Sequence, residues 1–142
     1  MTPIRPEILQ RKLGTIIDNL QALRPIEGLS LSEYRKELFR RKATERLLQE
    51  LIEAAIDINT HLIIQGGNDA PEDYYQSFIK LGELEILQKD LAEQLAPSAG
   101  LRNRLVHRYD DLDDARILEA VGLTEALYPR YIQAVEAFLK KG

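Results

Sequence analysis

The sequence predicts an all-α protein. Apolar residues recur at intervals of three and four over most of the chain, and no stretch shows the strict alternation of a half-buried strand. Pro25, Gly28, Gly66, Gly67, Pro71, Pro97 and Gly100 fall between these stripes as breaks. The expected architecture is a helical bundle with two long antiparallel helices and shorter ones packed around them.

Leu9, Leu13, Ile16, Leu20 and Leu23 form one stripe, which predicts a helix from about Glu7 to Leu23, ended by Pro25 and Gly28. Ser30 or Ser32 opens a second helical stretch. Its Arg35, Lys36, Arg40, Arg41, Lys42 and Arg46 outnumber Glu33, Glu37 and Glu45, making it the first locally basic segment. It is either a path for a polyanion or partner, or a solvated face. Leu48, Leu51, Ala55, Ile58 and Leu62 then mark the strongest helix, with Arg46, Glu50, Glu53, Asp57 and His61 opposite. Gly66, Gly67, Asn68, Asp69 and Pro71 predict a loop. Short helices are expected over Glu72 to Leu81 and Ile86 to Leu95, with Tyr74, Tyr75 and Phe78 in the core or an interface. A further helix begins near Leu101, before Asp110, Asp111, Asp113 and Asp114. The last covers Leu123 to Lys140, kinked or restarted at Pro129.

At 142 residues the chain fits one domain over 1–142, with 44% hydrophobic and 30% charged residues. It has no Cys, which excludes disulfides, thiolate metal sites and cysteine nucleophiles. No apolar run is long enough to span a bilayer, so no membrane partner is expected. Met1 to Gln10 lacks the build of a signal peptide, and the expected location is the cytoplasm. The net charge of −4 gives no bulk attraction to nucleic acid, so such binding needs a local basic patch.

That patch lies at Leu101 to Tyr109. Arg102, Arg104, Arg108, His107, Asn103 and Tyr109 crowd together there, in a protein with only two His. These residue types suit phosphodiester chemistry: His moves protons near neutral pH, and Arg holds phosphate and stabilises developing charge. RNA carries its own nucleophile in the 2′-hydroxyl, so no metal or cofactor is required. On one helix, Arg102 and His107 differ by about 140° and rise about 7.5 Å, too far apart to converge alone on one phosphate. Either the helix begins late or a second copy of the motif completes the site in a two-fold dimer. Glu53, Asp57 and His61 share a helix face. That face is ordinary polar surface, a partial metal set, or a place from which Asp57 orients Arg102 or His107.

Arg102-x4-His107-x-Tyr109 resembles the RX4HXY motif of HepT-like toxins in the HEPN superfamily, and Asn103 is the polar residue that often follows the Arg there. Glu45-Arg46-Leu47-Leu48-Gln49, Glu53-Ala54-Ala55-Ile56-Asp57-Ile58 and His61 resemble that family's central helix. Asp73, Tyr74 and Phe78 resemble its next segment, and Gly100-Leu101-Arg102-Asn103 the lead-in to the motif. The likeness runs from about Leu9 to Leu139. It implies a HEPN-type bundle and a metal-independent ribonuclease toxin acting on RNA as a homodimer, with Arg102 and His107 as the catalytic pair. It also implies a nucleotidyltransferase antitoxin as partner, which transfers AMP from ATP to Tyr109 and so silences the site. The alternative is a non-catalytic helical subunit that grips a nucleotide or the nucleotidyltransferase through the same cluster.

Overall fold

Three long helices form the frame, where two were expected. The computed structural model describes residues 6–141, with Tyr109 followed through its backbone alone; Met1 to Arg5 and Gly142 lie outside the described residues. The long helices are α1 (Pro6–Glu27), α3 (Leu38–Gln65) and α7 (Asp114–Lys140). Between them lie α2 (Leu31–Arg35), α4 (Tyr74–Glu83), α5 (Lys89–Leu95) and α6 (Ser98–His107), and Tyr109–Asp111 forms a 3-10 turn. There is no strand among the described residues.

The α1 stripe Leu9, Leu13, Ile16, Leu20 and Leu23 is buried against Leu48, Leu51, Ala55, Ile58 and Leu62 of α3 and the inner face of α7. The two helices run antiparallel. Lys12 pairs with Asp57 at 2.9 Å, while Asn19, further along α1, donates to the Leu47 carbonyl, earlier on α3, at 3.0 Å.

Pro25 and Pro129 sit inside helices. Pro25 falls in the last turn of α1, where it forgoes one bond to the Gln21 carbonyl and only two helical residues follow it. Pro129 lies in mid-α7, which begins at Asp114 rather than near Leu123 and runs on unbroken to Lys140. Ile117, Val121, Thr124 and Tyr128 before the proline, and Tyr131, Ile132 and Val135 after it, are all buried. Burial on both sides outweighs the single lost hydrogen bond. The aspartates separate α6 from α7, and one of them also starts α7: the Asp113 carboxylate accepts from the Ala115 N–H at 2.9 Å.

The basic stretch is matched by acids. Arg40 pairs with Glu37, Lys42 with Glu45, Arg46 with Glu50, and Arg35 reaches Asp114 at the start of α7. Arg41 donates to the Arg35 carbonyl. Ser30 caps α2 in a reciprocal box with Glu33. The Ser30 backbone N–H, then its side chain, hold the Glu33 carboxyl below the usual glutamate range. A depressed folded-state pKa makes the cap whole above the unfolded value and lost as pH falls through the folded one. Amides of α2 are therefore expected to lose hydrogen-exchange protection in acid before those of α3.

A polar chain crosses the core. The Tyr131 hydroxyl of α7 donates to Asn59 Oδ1 of α3 at 2.6 Å and lies 3.1 Å from the Ala55 carbonyl. Asn59 Nδ2 donates to Ser77 Oγ of α4 at 3.1 Å, and Ser77 Oγ donates to the Tyr74 carbonyl at 2.7 Å. Tyr131, Asn59 and Ser77 are each 0% exposed. Buried polar groups are costly unless satisfied, so this chain fixes how α4 sits on α3 and α7.

Candidate functional site

Helix α6 starts at Ser98, just after Pro97, three residues before the expected start at Leu101. A proline ahead of the first turn suits a helix start, because the missing N–H would have had no partner. The helix is thus well under way at Arg102 and ends at His107. A late start therefore does not bring the two side chains together.

Arg102 turns inward onto α3 and α4. Its Nε lies 3.0 Å and its Nη2 2.9 Å from Glu53 Oε2, and its Nη1 donates to Asn103 Oδ1 at 3.3 Å. The guanidinium carbon stands 5.1 Å from the centre of the Tyr74 ring, within cation–π range. The arginine side chain is 18% exposed. A guanidinium carries five N–H donors. Three are used here, so two remain for a second anion while the carboxylate and ring hold the plane in place.

His107 is exposed at the end of α6, and no described side chain hydrogen-bonds its ring. Asn103 is exposed beside Arg102. The backbone of Tyr109 opens the 3-10 turn, and its side chain lies outside the described residues. Arg104 and Arg108 are exposed. Arg104 does not join Arg102: it lines a groove of about 540 Å³ between α6 and α7, with Leu101, Leu112 and Leu127.

The α3 carboxylate that meets the motif helix is Glu53, not Asp57. Asp57 pairs with Lys12 of α1 and its side chain is 57% exposed. Four residues advance a helix by about 40° beyond a full turn and about 6 Å along its axis, enough to move from facing α6 to facing α1. The third member of that face, His61, has a buried Nε2 with no hydrogen-bond partner among the described residues. The three residues thus address three different surroundings, and no group of His, Asp and Glu converges as metal ligands among the described residues.

The Glu53–Arg102 and Asp57–Lys12 pairs differ in what their loss costs. Glu53→Ala is expected to lower unfolding free energy by about 1.5–3 kcal/mol, as for a hydrogen bond to a charged group. Asp57→Ala is expected to change it by at most about 1 kcal/mol, as for an exposed pair. Urea unfolding of the two variants checks the ranking.

The aromatic cluster also divides. Phe78 is 0% exposed and belongs to the core, whereas Tyr74 is 42% and Tyr75 45% exposed. Tyr74 as the ring beneath Arg102 was not expected from the sequence. Its placement depends on how α4 meets α6, which a periodic pattern does not encode.

Among the described residues no helix is long and apolar enough to cross a membrane. The sequence profile of the ribonuclease HepT-like family matches residues 16–138. The chain is 40% identical over 139 residues to a tRNA nuclease HepT of Aphanizomenon flos-aquae, covering 98% of this chain and 95% of that protein. Its fold matches the tri-AMPylated HEPN toxin of Shewanella oneidensis, solved in complex with an MNT antitoxin, with a TM-score of 0.81 and 25% identity over 92% of this chain and 97% of that one. A toxin–antitoxin structure with AMP-PNP matches with a TM-score of 0.83 at 24% identity, over 92% of this chain and 98% of that one. The helical bundle, the motif on α6 and the match over most of the sequence place this chain in the HepT-like family of the HEPN superfamily.

Proposed function

We propose that this chain is the toxin of a HEPN/nucleotidyltransferase pair: a metal-independent endoribonuclease in which Arg102 and His107 act on RNA, silenced by adenylylation of Tyr109. The observation that carries the reading is Arg102, held by Glu53 and Tyr74 with two N–H donors to spare, on the same short helix as an exposed His107. A fixed fork of donors is what a phosphate in transit to a more highly charged transition state requires.

In the reaction, His107 takes the proton of an RNA 2′-hydroxyl and the oxygen attacks the adjacent phosphorus. Charge grows on the non-bridging oxygens, where Arg102 meets it. The bond to the 5′-oxygen breaks, that oxygen leaves with a proton drawn from water, and the proton on His107 returns to the water. The products are a 2′,3′-cyclic phosphate and a 5′-hydroxyl. Asn103 supports the reaction by holding Arg102 Nη1. On α6 the two catalytic side chains diverge by about 140°, so the reading places the active site at a two-fold axis, where His107 of one copy faces Arg102 of another. The working unit is a homodimer of one-domain chains spanning 1–142, in the cytoplasm.

Control rests on Tyr109, two residues past His107 in sequence. The antitoxin transfers AMP from ATP to its hydroxyl, releasing pyrophosphate. The new phosphate sets bulk and negative charge beside the motif and repels a substrate phosphate. Support comes from the similarity to an AMPylated toxin bound to its antitoxin. The test is intact mass after co-expression with the neighbouring nucleotidyltransferase and ATP. AMP units are expected on the wild type and absent from Tyr109→Phe; an unmodified wild type under these conditions contradicts the switch.

A further inference from the structure

We propose that Tyr74 and Tyr75 form a stacking platform for an unpaired nucleobase next to the phosphate that Arg102 engages. The proposal rests on the RNA-cleavage reading above and adds to it a subsite for single-stranded RNA.

The two rings are exposed although α4 does not need them to be. Its apolar face is already served by Phe78 and Leu81, both 0% exposed. Their backbone is nonetheless held rigidly. The Asp73 carboxylate caps α4 by accepting from the Gln76 N–H at 2.7 Å, and the buried chain from Tyr131 through Asn59 and Ser77 ends on the Tyr74 carbonyl. Two tyrosines on a fixed turn, left open to solvent, have the form of a presented surface rather than a packing element.

Its position beside Arg102 decides the ligand. One side of the Tyr74 ring receives the guanidinium, and Tyr75 follows directly in sequence. Glu72 and Asp73, both exposed, immediately precede the rings. Carboxylates repel phosphate, so this turn suits an uncharged base, with the backbone phosphate passing on the arginine side. Aromatic rings stack on unpaired bases, whereas bases within an A-form duplex stack on one another and are out of reach. The subsite therefore selects single-stranded segments such as loops.

The test uses wild-type protein and a fluorescent 2′-O-methyl RNA hexamer, whose methyl groups remove the nucleophile, read by anisotropy at two salt concentrations. Tyr75→Ala is expected to weaken binding by about 5- to 100-fold, the range of one lost base stack, with an unchanged salt dependence. One abasic position in the hexamer is expected to remove most of the difference between wild type and Tyr75→Ala. Wild-type affinity in Tyr75→Ala, with binding weakened in Arg102→Ala, overturns the platform and leaves the RNA reading standing. No binding by the wild type overturns both. A Tyr75→Ala protein that changes its sedimentation but not its affinity assigns the surface to protein contact and also overturns the platform. Thermal melts of each variant establish that it is folded.

Discussion

Alanine at His107 is expected to lower RNA cleavage by about 10²- to 10⁴-fold, the contribution of a positioned acid–base group. The same change is expected to leave stability within about 0.5 kcal/mol, because the side chain is exposed at a helix end. Arg102→Ala is expected to lose cleavage to a similar extent, with a difference that identifies its surroundings. It strips Glu53 of its ion-pair partner and takes the cation from over the Tyr74 ring, so it also lowers stability. Arg102→Lys is not expected to restore activity. An ammonium is a point charge and cannot hold a carboxylate on one edge while presenting a planar pair of donors on another. Cleavage rates and urea unfolding on the same samples separate the two residues: activity without stability for His107, both together for Arg102. Cleavage by His107→Ala at the wild-type rate would remove it from the chemistry.

Asn59→Ala is expected to lower unfolding free energy by about 2–6 kcal/mol, as two buried groups lose a partner at about 1–3 kcal/mol each. Asn59 accepts from Tyr131 and donates to Ser77, and all three are fully buried. Tyr131→Phe, which leaves only Asn59 Oδ1 without its donor, is expected to cost about 1–3 kcal/mol. The effect also reaches the site: loosening Ser77 loosens the turn that sets Tyr74 beneath Arg102. Binding of the 2′-O-methyl hexamer should therefore weaken in Asn59→Ala more than in Tyr131→Phe. Equal stability in Asn59→Ala and the wild type would show that the chain across the core carries no specificity for the packing of α4.

How much of this was legible in the sequence follows from what each signal encodes. Apolar spacing located the stripes of α1 and α3, because burial selects residue type directly. It missed the first two turns of α7, where four aspartates read as a boundary and one of them proved to be a cap. Pro129 read as a break, yet burial on both sides carries the helix past it. The motif Arg102-x4-His107-x-Tyr109 was visible as a string, whereas its supports were not. Choosing between Glu53 and Asp57 required the rotation of α3 relative to α6, a tertiary quantity. Tyr74 read as core or interface because aromatics usually pack there, and only the docking of α4 sets it against Arg102.

The most direct test of the account is RNA cleavage by the purified, unmodified chain in the presence of EDTA, beside Arg102→Ala and His107→Ala. The account predicts fragments ending in 2′,3′-cyclic phosphate and 5′-hydroxyl from the wild type, and none from either variant. A folded, unmodified dimer that leaves RNA intact would contradict it, and would make Arg102 and His107 contact residues of a subunit that serves its nucleotidyltransferase.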